Sequence, residues 1–164
     1  MEENQGHYHD PDNCFSDENS KPAAEQDFEE YDLAEAEFER FIKFHNIDVD
    51  IDPQDINEQK DFSEIKESLL QALRDNHLIF DQECNAIFTP YKIKSKPLIF
   101  TEPCAYHLAA ADRAPIDQPL RRAIYTIASI TNTKEQFIAK LKGTDFQVCV
   151  SIQSLFMNAR SSGR

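Results

Sequence analysis

"LIFDQECNAIFTPYKIKSKPLIF", residues 78–100, is the stretch on which the fold turns. Two short apolar runs, Leu78–Phe80 and Ala86–Thr89, flank the polar DQECN. That pattern predicts a β-hairpin with a loop longer than two residues. A third strand is expected over Pro97–Thr101, after the linker KIKSK. Proline has no N–H to give to a ladder, so Pro97 suits the start of an edge strand. Lys92, Lys94 and Lys96 form a basic ridge beside that edge. Lysines so placed discourage unwanted strand pairing. A binding role is the alternative reading.

Helical patterns surround the strands. "DFSEIKESLLQALRDNH" begins with Asp61 as a candidate cap and Glu64 three residues on. Phe62, Ile65, Leu69 and Leu73 share one face of that helix. On the other side, Cys104 to Arg113 is alanine-rich and helical, with Pro103 at its start. From Asp117 onward, Leu120, Ala123, Ile124, Ile127 and Ala128 make a core-facing stripe. "TKEQFIAKLKG" opens with Thr133 and Gln136 as a capping box and stops at Gly143. "TDFQVCVSIQSLFMNA" alternates like a strand at Phe146, Val148, Val150 and Ile152. Its length and its Thr144–Gln147 box assign it to a helix instead. The fold class is therefore α+β and mostly helical: a small three-stranded antiparallel sheet packed with about five helices.

Charge divides the chain. Residues 1–61 hold 20 acidic against 4 basic residues, and residues 62–164 hold 10 against 13, which accounts for the net −13. The domain plan is an acidic, largely disordered extension over 1–61, a folded domain over 62–159 and a frayed tail over 160–164. The first 26 residues carry too few apolar side chains to offset their chain entropy. The acidic arm reads either as a solvating tail or as a guard lying over a basic patch of this chain or a partner. Overall acidity argues against nucleic-acid binding, which needs Lys and Arg for phosphate contacts.

Within that extension, Tyr31 to Asn46 can form a helix with Leu33, Phe38, Phe41, Ile42 and His45 at near-helical spacing. Two roles stand open. The helix docks on its own domain, or it presents Phe38, Phe41 and Ile42 to a partner groove. "DVDIDPQD" is not a calcium loop, because the required Gly and terminal Glu are missing.

Chemistry has few footholds. Cys104 and His107 lie three residues apart, but a zinc site needs about four ligands, usually in close pairs. Nucleophilic catalysis needs a third orienting group and a pocket, which spacing alone does not supply. Cys104 reads as a small apolar residue near a helix start, and His107 as a partly exposed helical one. "HYHDPDNC", residues 7–14, could bind divalent ions only loosely, having no core to hold it. With three glycines there is no Gly-rich phosphate loop, and no G-x-S-x-G, H-E-x-x-H or C-x-x-C occurs. No catalytic residue, metal or cofactor is assigned, and the expectation is a protein without enzymatic activity. The four cysteines show no disulfide spacing, the polar N-terminus is unlike a signal peptide, and no run reaches the ~20 apolar residues of a membrane span. A reducing cytoplasm is expected.

A wider pattern appears when the segments are read in order. The helix "IKESLLQAL" leads to the hairpin "HLIFDQECNAIFT", and a strand runs into a helix through Glu-Pro in "LIFTEPCAYHL". The block "ASITNTKEQFIAKLKGTDFQVCVSIQSLF" closes the chain with a Thr-rich turn, a Phe-containing helix, L-x-x-x-D and a final I-x-x-L-F helix. Residues 62–158 in this order resemble the small tail assembly chaperones of long-tailed bacteriophages, the Mu-like contractile-tail kind. The 61-residue acidic extension lies outside that family's pattern. The resemblance implies a non-enzymatic protein of the host bacterial cytoplasm, absent from the mature virion. Its implied partners are the tape measure protein, which it would keep soluble, and the tail tube protein, with self-association compatible. Neither a nucleic acid nor a membrane is implied. The alternative is an acidic interaction protein, a DNA mimic binding a host factor through residues 1–61. A metal- or thiol-dependent enzyme is a third class.

Overall fold

The computed structural model describes residues 23–47, 49, 56–93 and 95–158. The three expected strands form one antiparallel sheet in the order β1 (Leu78–Phe80), β2 (Ala86–Phe88) and β3 (Leu98–Phe100). Side chains alternate across a strand, so each three-residue run sends its outer two residues to one face. Leu78, Phe80, Ala86, Phe88, Leu98 and Phe100 are all buried. The middle residues point the other way, and the register places Ile79 opposite Ile87 and Ile87 opposite Ile99.

The hairpin loop is held by Asp81. Its Oδ1 accepts the N–H groups of Glu83 and Asn85, and its Oδ2 accepts Asn85 Nδ2. Cys84 closes the loop at φ 55°, a conformation that costs a non-glycine residue on the order of 1 kcal/mol.

Among the described residues, six helices accompany the sheet: α1 (Ala23–Phe44), α2 (Ile56–Arg74), α3 (Ala105–Ala109), α4 (Pro119–Ile130), α5 (Glu135–Ile138) and α6 (Gly143–Asn158). A 3₁₀ turn, Ala110–Arg113, extends α3. Three of the helices stop in the same way. Asn46, Asn76 and Asn132 take φ of 49°, 55° and 48°. The next residue's N–H then reaches back five positions: Ile47 to Ile42, His77 to Ala72 and Thr133 to Ala128. This is the helix stop that glycine usually supplies. A chain with three glycines uses asparagine, the side chain that best tolerates that conformation.

The core gathers around Phe41 of α1. Its ring stacks on Phe80 at 4.3 Å and meets Phe156 of α6 edge-on at 5.4 Å. α6 runs through the interior: Val148, Cys149, Ser151, Ile152, Leu155 and Phe156 are all buried. Burial on several sides is why its sequence fits both a strand and a helix pattern.

Several sequence expectations need correction. The second helix begins at Ile56, so Asp61 lies inside it and is exposed rather than capping it. Cys104 is the N-cap of α3, which puts Pro103 before the helix and not in its first turn. The α3 segment tightens into 3₁₀ geometry after Ala109. Thr133 does not cap α5: Lys134 holds that position, and the Thr133 hydroxyl donates to the Thr131 carbonyl. Leu120 was placed in the core stripe of α4 and is 63% exposed, because the buried face of that helix is at its C-terminal end. The fold boundary also moves: Ala34, Phe38 and Phe41 belong to the same core as the sheet. The tract 7–14, most of "DVDIDPQD", Lys94 and the tail 160–164 lie outside the described residues.

Candidate partner-binding surfaces

The three residues chosen as partner anchors sit in one place. Phe38 is 3% exposed and Phe41 is 1% exposed, while Ile42 is half-buried against the same core. These three residues of the α1 stripe are satisfied by their own chain, while Leu33 of the same stripe is exposed. Its polar residues reinforce the docking. Arg40 donates from Nη2 to the Phe80 carbonyl at 3.1 Å and from Nη1 to the Asp81 carbonyl at 3.2 Å. Nη1 also lies 3.1 Å from Cys84 Sγ. Glu37 holds the guanidinium from behind at 2.7 Å, and this hydrogen bond comes first among the causes that raise the Arg40 pKa. His45 Nε2 lies 3.0 Å from the Cys84 carbonyl. Thus α1 clasps the outer side of β1 and the hairpin loop.

Asp145, the Asp of L-x-x-x-D, has no functional role assigned from sequence, and it is fully buried. It lies in the first turn of α6, where the helix dipole favours a negative charge. Its carboxylate accepts the Tyr91 N–H at 2.7 Å and the Lys92 N–H at 3.4 Å. This ties the segment after β2 to the central helix. Tyr91 stacks on His77 at 3.8 Å and donates its hydroxyl to Asp75. Burial, and then the hydrogen bond to Asp75, push the Tyr91 phenol well above its ordinary pKa. Burial likewise pushes the Cys149 thiol up, with Asp145 adding to it.

Cys104 and His107 do come together. The Cys104 N–H donates to His107 Nδ1 at 3.2 Å, with Sγ 3.6 Å from the same nitrogen. A side chain three residues on that takes the N-cap backbone N–H is a helix-start arrangement. Among the described residues, no group of three or more His, Cys, Asp or Glu side chains could hold a metal ion. None of the helices among them is long and apolar enough to cross a membrane. Comparisons with family models, with curated proteins and with solved structures return no match.

Among the described residues, apolar surface stays exposed at Leu33, Phe44 and Ile79 near α1 and β1, and at Ile116, Leu120 and Met157. A groove of about 480 Å³ runs between the α3 segment, the start of α4 and the end of α6. Leu108, Ala111, Ile116, Pro119, Ala123 and Met157 form its walls. Ile116 is 88% exposed, and Met157 and the adjacent Leu120 are also exposed. Gln153 lines the groove with a buried Oε1 that has no hydrogen-bond partner. Arg122 stands among its lining residues, paired with Asp112 and bonded to the Ala114 carbonyl. No spacing rule identifies this groove in the sequence, because its walls come from three separate segments.

Proposed function

We propose that the protein is a non-enzymatic phage tail assembly chaperone that binds the tape measure protein, keeps it soluble and helps recruit tail tube subunits around it. The observation that carries this reading is the exposed apolar groove of Ile116, Pro119 and Met157, with exposed Leu120 beside it, on a chain of net charge −13. An apolar trough between helices suits the apolar stripe of a partner helix. An excess of acidic charge keeps such a complex in solution. The segment order of residues 62–158 supports the phage assignment. Contacts repeated along one long helical polymer give avidity while each stays displaceable. The place of action in this reading is the host bacterial cytoplasm, and the protein is left out of the finished virion.

Co-expression with the tape measure protein of the same phage tests the proposal. The expected result is a soluble complex that is lost with Ile116→Asp and Leu120→Asp. A tape measure equally insoluble with and without this chain overturns it. A gene position between a tail tube gene and a very long helical gene is an independent check.

The acidic charge of residues 1–61 favours one other reading, a host-factor decoy. It is tested by changing the Asp and Glu residues of 1–32 and 48–55 to their amides, which neutralises 15 of the 20 acids and keeps Phe38 and Phe41 in the core, where a cut at 61 would remove them. Capture of a DNA-binding host protein by the full chain, lost on that neutralisation, supports the decoy. Unchanged capture rejects it.

A further inference from the structure

The two edges of the sheet are treated differently. The β1 edge is closed by α1, whose Arg40 takes up the Phe80 and Asp81 carbonyls. Among the described residues, no other strand or backbone hydrogen bond covers the outer edge of β3.

The ladder shows what that edge offers. The Thr89 N–H bonds the His77 carbonyl and the Asp81 N–H bonds the Asn85 carbonyl. These fix 77/89 and 81/85 as hydrogen-bonded pairs, with 79/87 between them. Ile87 therefore turns its N–H and C=O toward β1, and Ala86 and Phe88 turn theirs toward β3. On β3, Leu98 and Phe100 answer β2, which leaves the Ile99 N–H and C=O pointing outward. Thr101 continues the same side. Pro97 offers only its carbonyl.

We propose that two copies of this chain pair through their β3 edges, antiparallel across a two-fold axis at Ile99. Such an interface brings the same residue of each copy face to face. The N–H of each Ile99 bonds the carbonyl of the other. The Thr101 N–H of each copy bonds the Pro97 carbonyl opposite, so the missing proline donor leaves only the Thr101 carbonyl to water. Two residues beyond the strand, the register sets Lys96 against Glu102 of the second copy. Both are exposed, and neither has an ion pair among the described residues. The two-fold axis makes this charge pairing twice, and any slipped register loses it. The row Ile79, Ile87, Ile99 becomes a continuous six-isoleucine band on a six-stranded sheet. Lys96, read from sequence as protection of this edge, then selects one pairing over others. The inference does not rest on the chaperone reading. If both hold, the dimer presents two grooves.

Sedimentation of the full chain from about 10 µM to 1 mM is the test, a range suited to a small contact. Association to a dimer is expected, with amide exchange at Ile99 and Thr101 slowing as concentration rises. Lys96→Glu or Glu102→Lys alone should weaken the dimer by about tenfold. The double reversal should restore it. Ile99→Pro removes an outward N–H that the fold does not use, and should weaken the dimer at least as much while leaving the helical signal intact. A chain monomeric throughout that range overturns the proposal. So does a dimer indifferent to all of these variants, or one whose double reversal is no better than the singles. A monomer whose β3 amides are protected only by an added extended peptide also overturns it, and assigns the edge to another partner.

Discussion

α1 and the start of α4 exchange places between sequence and structure. Both carry an apolar stripe at helical spacing. Phe38 and Phe41 lie in a heavily acidic stretch and look like anchors for something else, yet they fill the centre of the core. Leu120 lies in the nearly neutral half and looks like core, yet it stands in solvent beside Ile116. Periodicity says that a helix has an apolar face, and the face says nothing about which protein covers it. Local charge is an equally poor guide: Glu37 pairs with Arg40 and Glu35 with Lys66, so acidic side chains of α1 take part in its docking.

The contrast breaks most readily at Phe41. Phe41→Ala should cost about 3–5 kcal/mol in a denaturant titration, because the ring is packed between Phe80 and Phe156. A loss under about 1 kcal/mol would return α1 to the role of a detachable arm. Asp145→Ala comes next. It leaves the Tyr91 and Lys92 N–H groups without their acceptor and should cost about 2–3 kcal/mol. Exchange at those two amides should quicken with it. Arg40→Ala removes the clasp on β1 and should cost about 1–2 kcal/mol, read as a lower melting temperature.

A smaller effect is expected at Asp81. The Asn85 side chain first, then the backbone N–H groups of Asn85 and Glu83 and the charge of Arg40, hold its carboxyl below the ordinary value. A depressed folded pKa means stability that is fully present above the unfolded value of about 3.9 and fades as pH falls through the folded one. Asp81→Asn should therefore flatten the acid limb of a stability–pH profile below about pH 4 and leave its shape above that unchanged. The smallest change in stability belongs to the groove. Ile116→Asp and Leu120→Asp should each stay within about 0.5 kcal/mol of the parent while abolishing partner capture. If either unfolds the protein instead, the two regions are not the opposites described here.

Much of the fold was legible because its signals are local. Leu78–Phe80, Ala86–Phe88 and Leu98–Phe100 are strands where the apolar runs place them. The α+β class and the long final helix follow from pattern and length. The helix stops were not legible in this way: Asn46, Asn76 and Asn132 carry them, and Gly143, expected to end a helix, opens α6 instead. The misplaced starts have a common cause. Asp61 and Thr133 are good capping residue types, but a cap forms only where the chain enters the helix, and packing moved those entry points.

The sequence by itself determined which segments would be strands and helices, because side-chain alternation and helical spacing are set by neighbours a few residues away. Only the tertiary structure decided which apolar faces meet one another. α1 closes over β1 because Arg40, 41 positions before Asp81, finds the hairpin carbonyls there. Asp145 is buried because residues 54 positions apart bring their N–H groups to it. Such pairings depend on distances between segments that no local pattern encodes. Among the described residues, they also leave the groove around Ile116 and the outer edge of β3 uncovered.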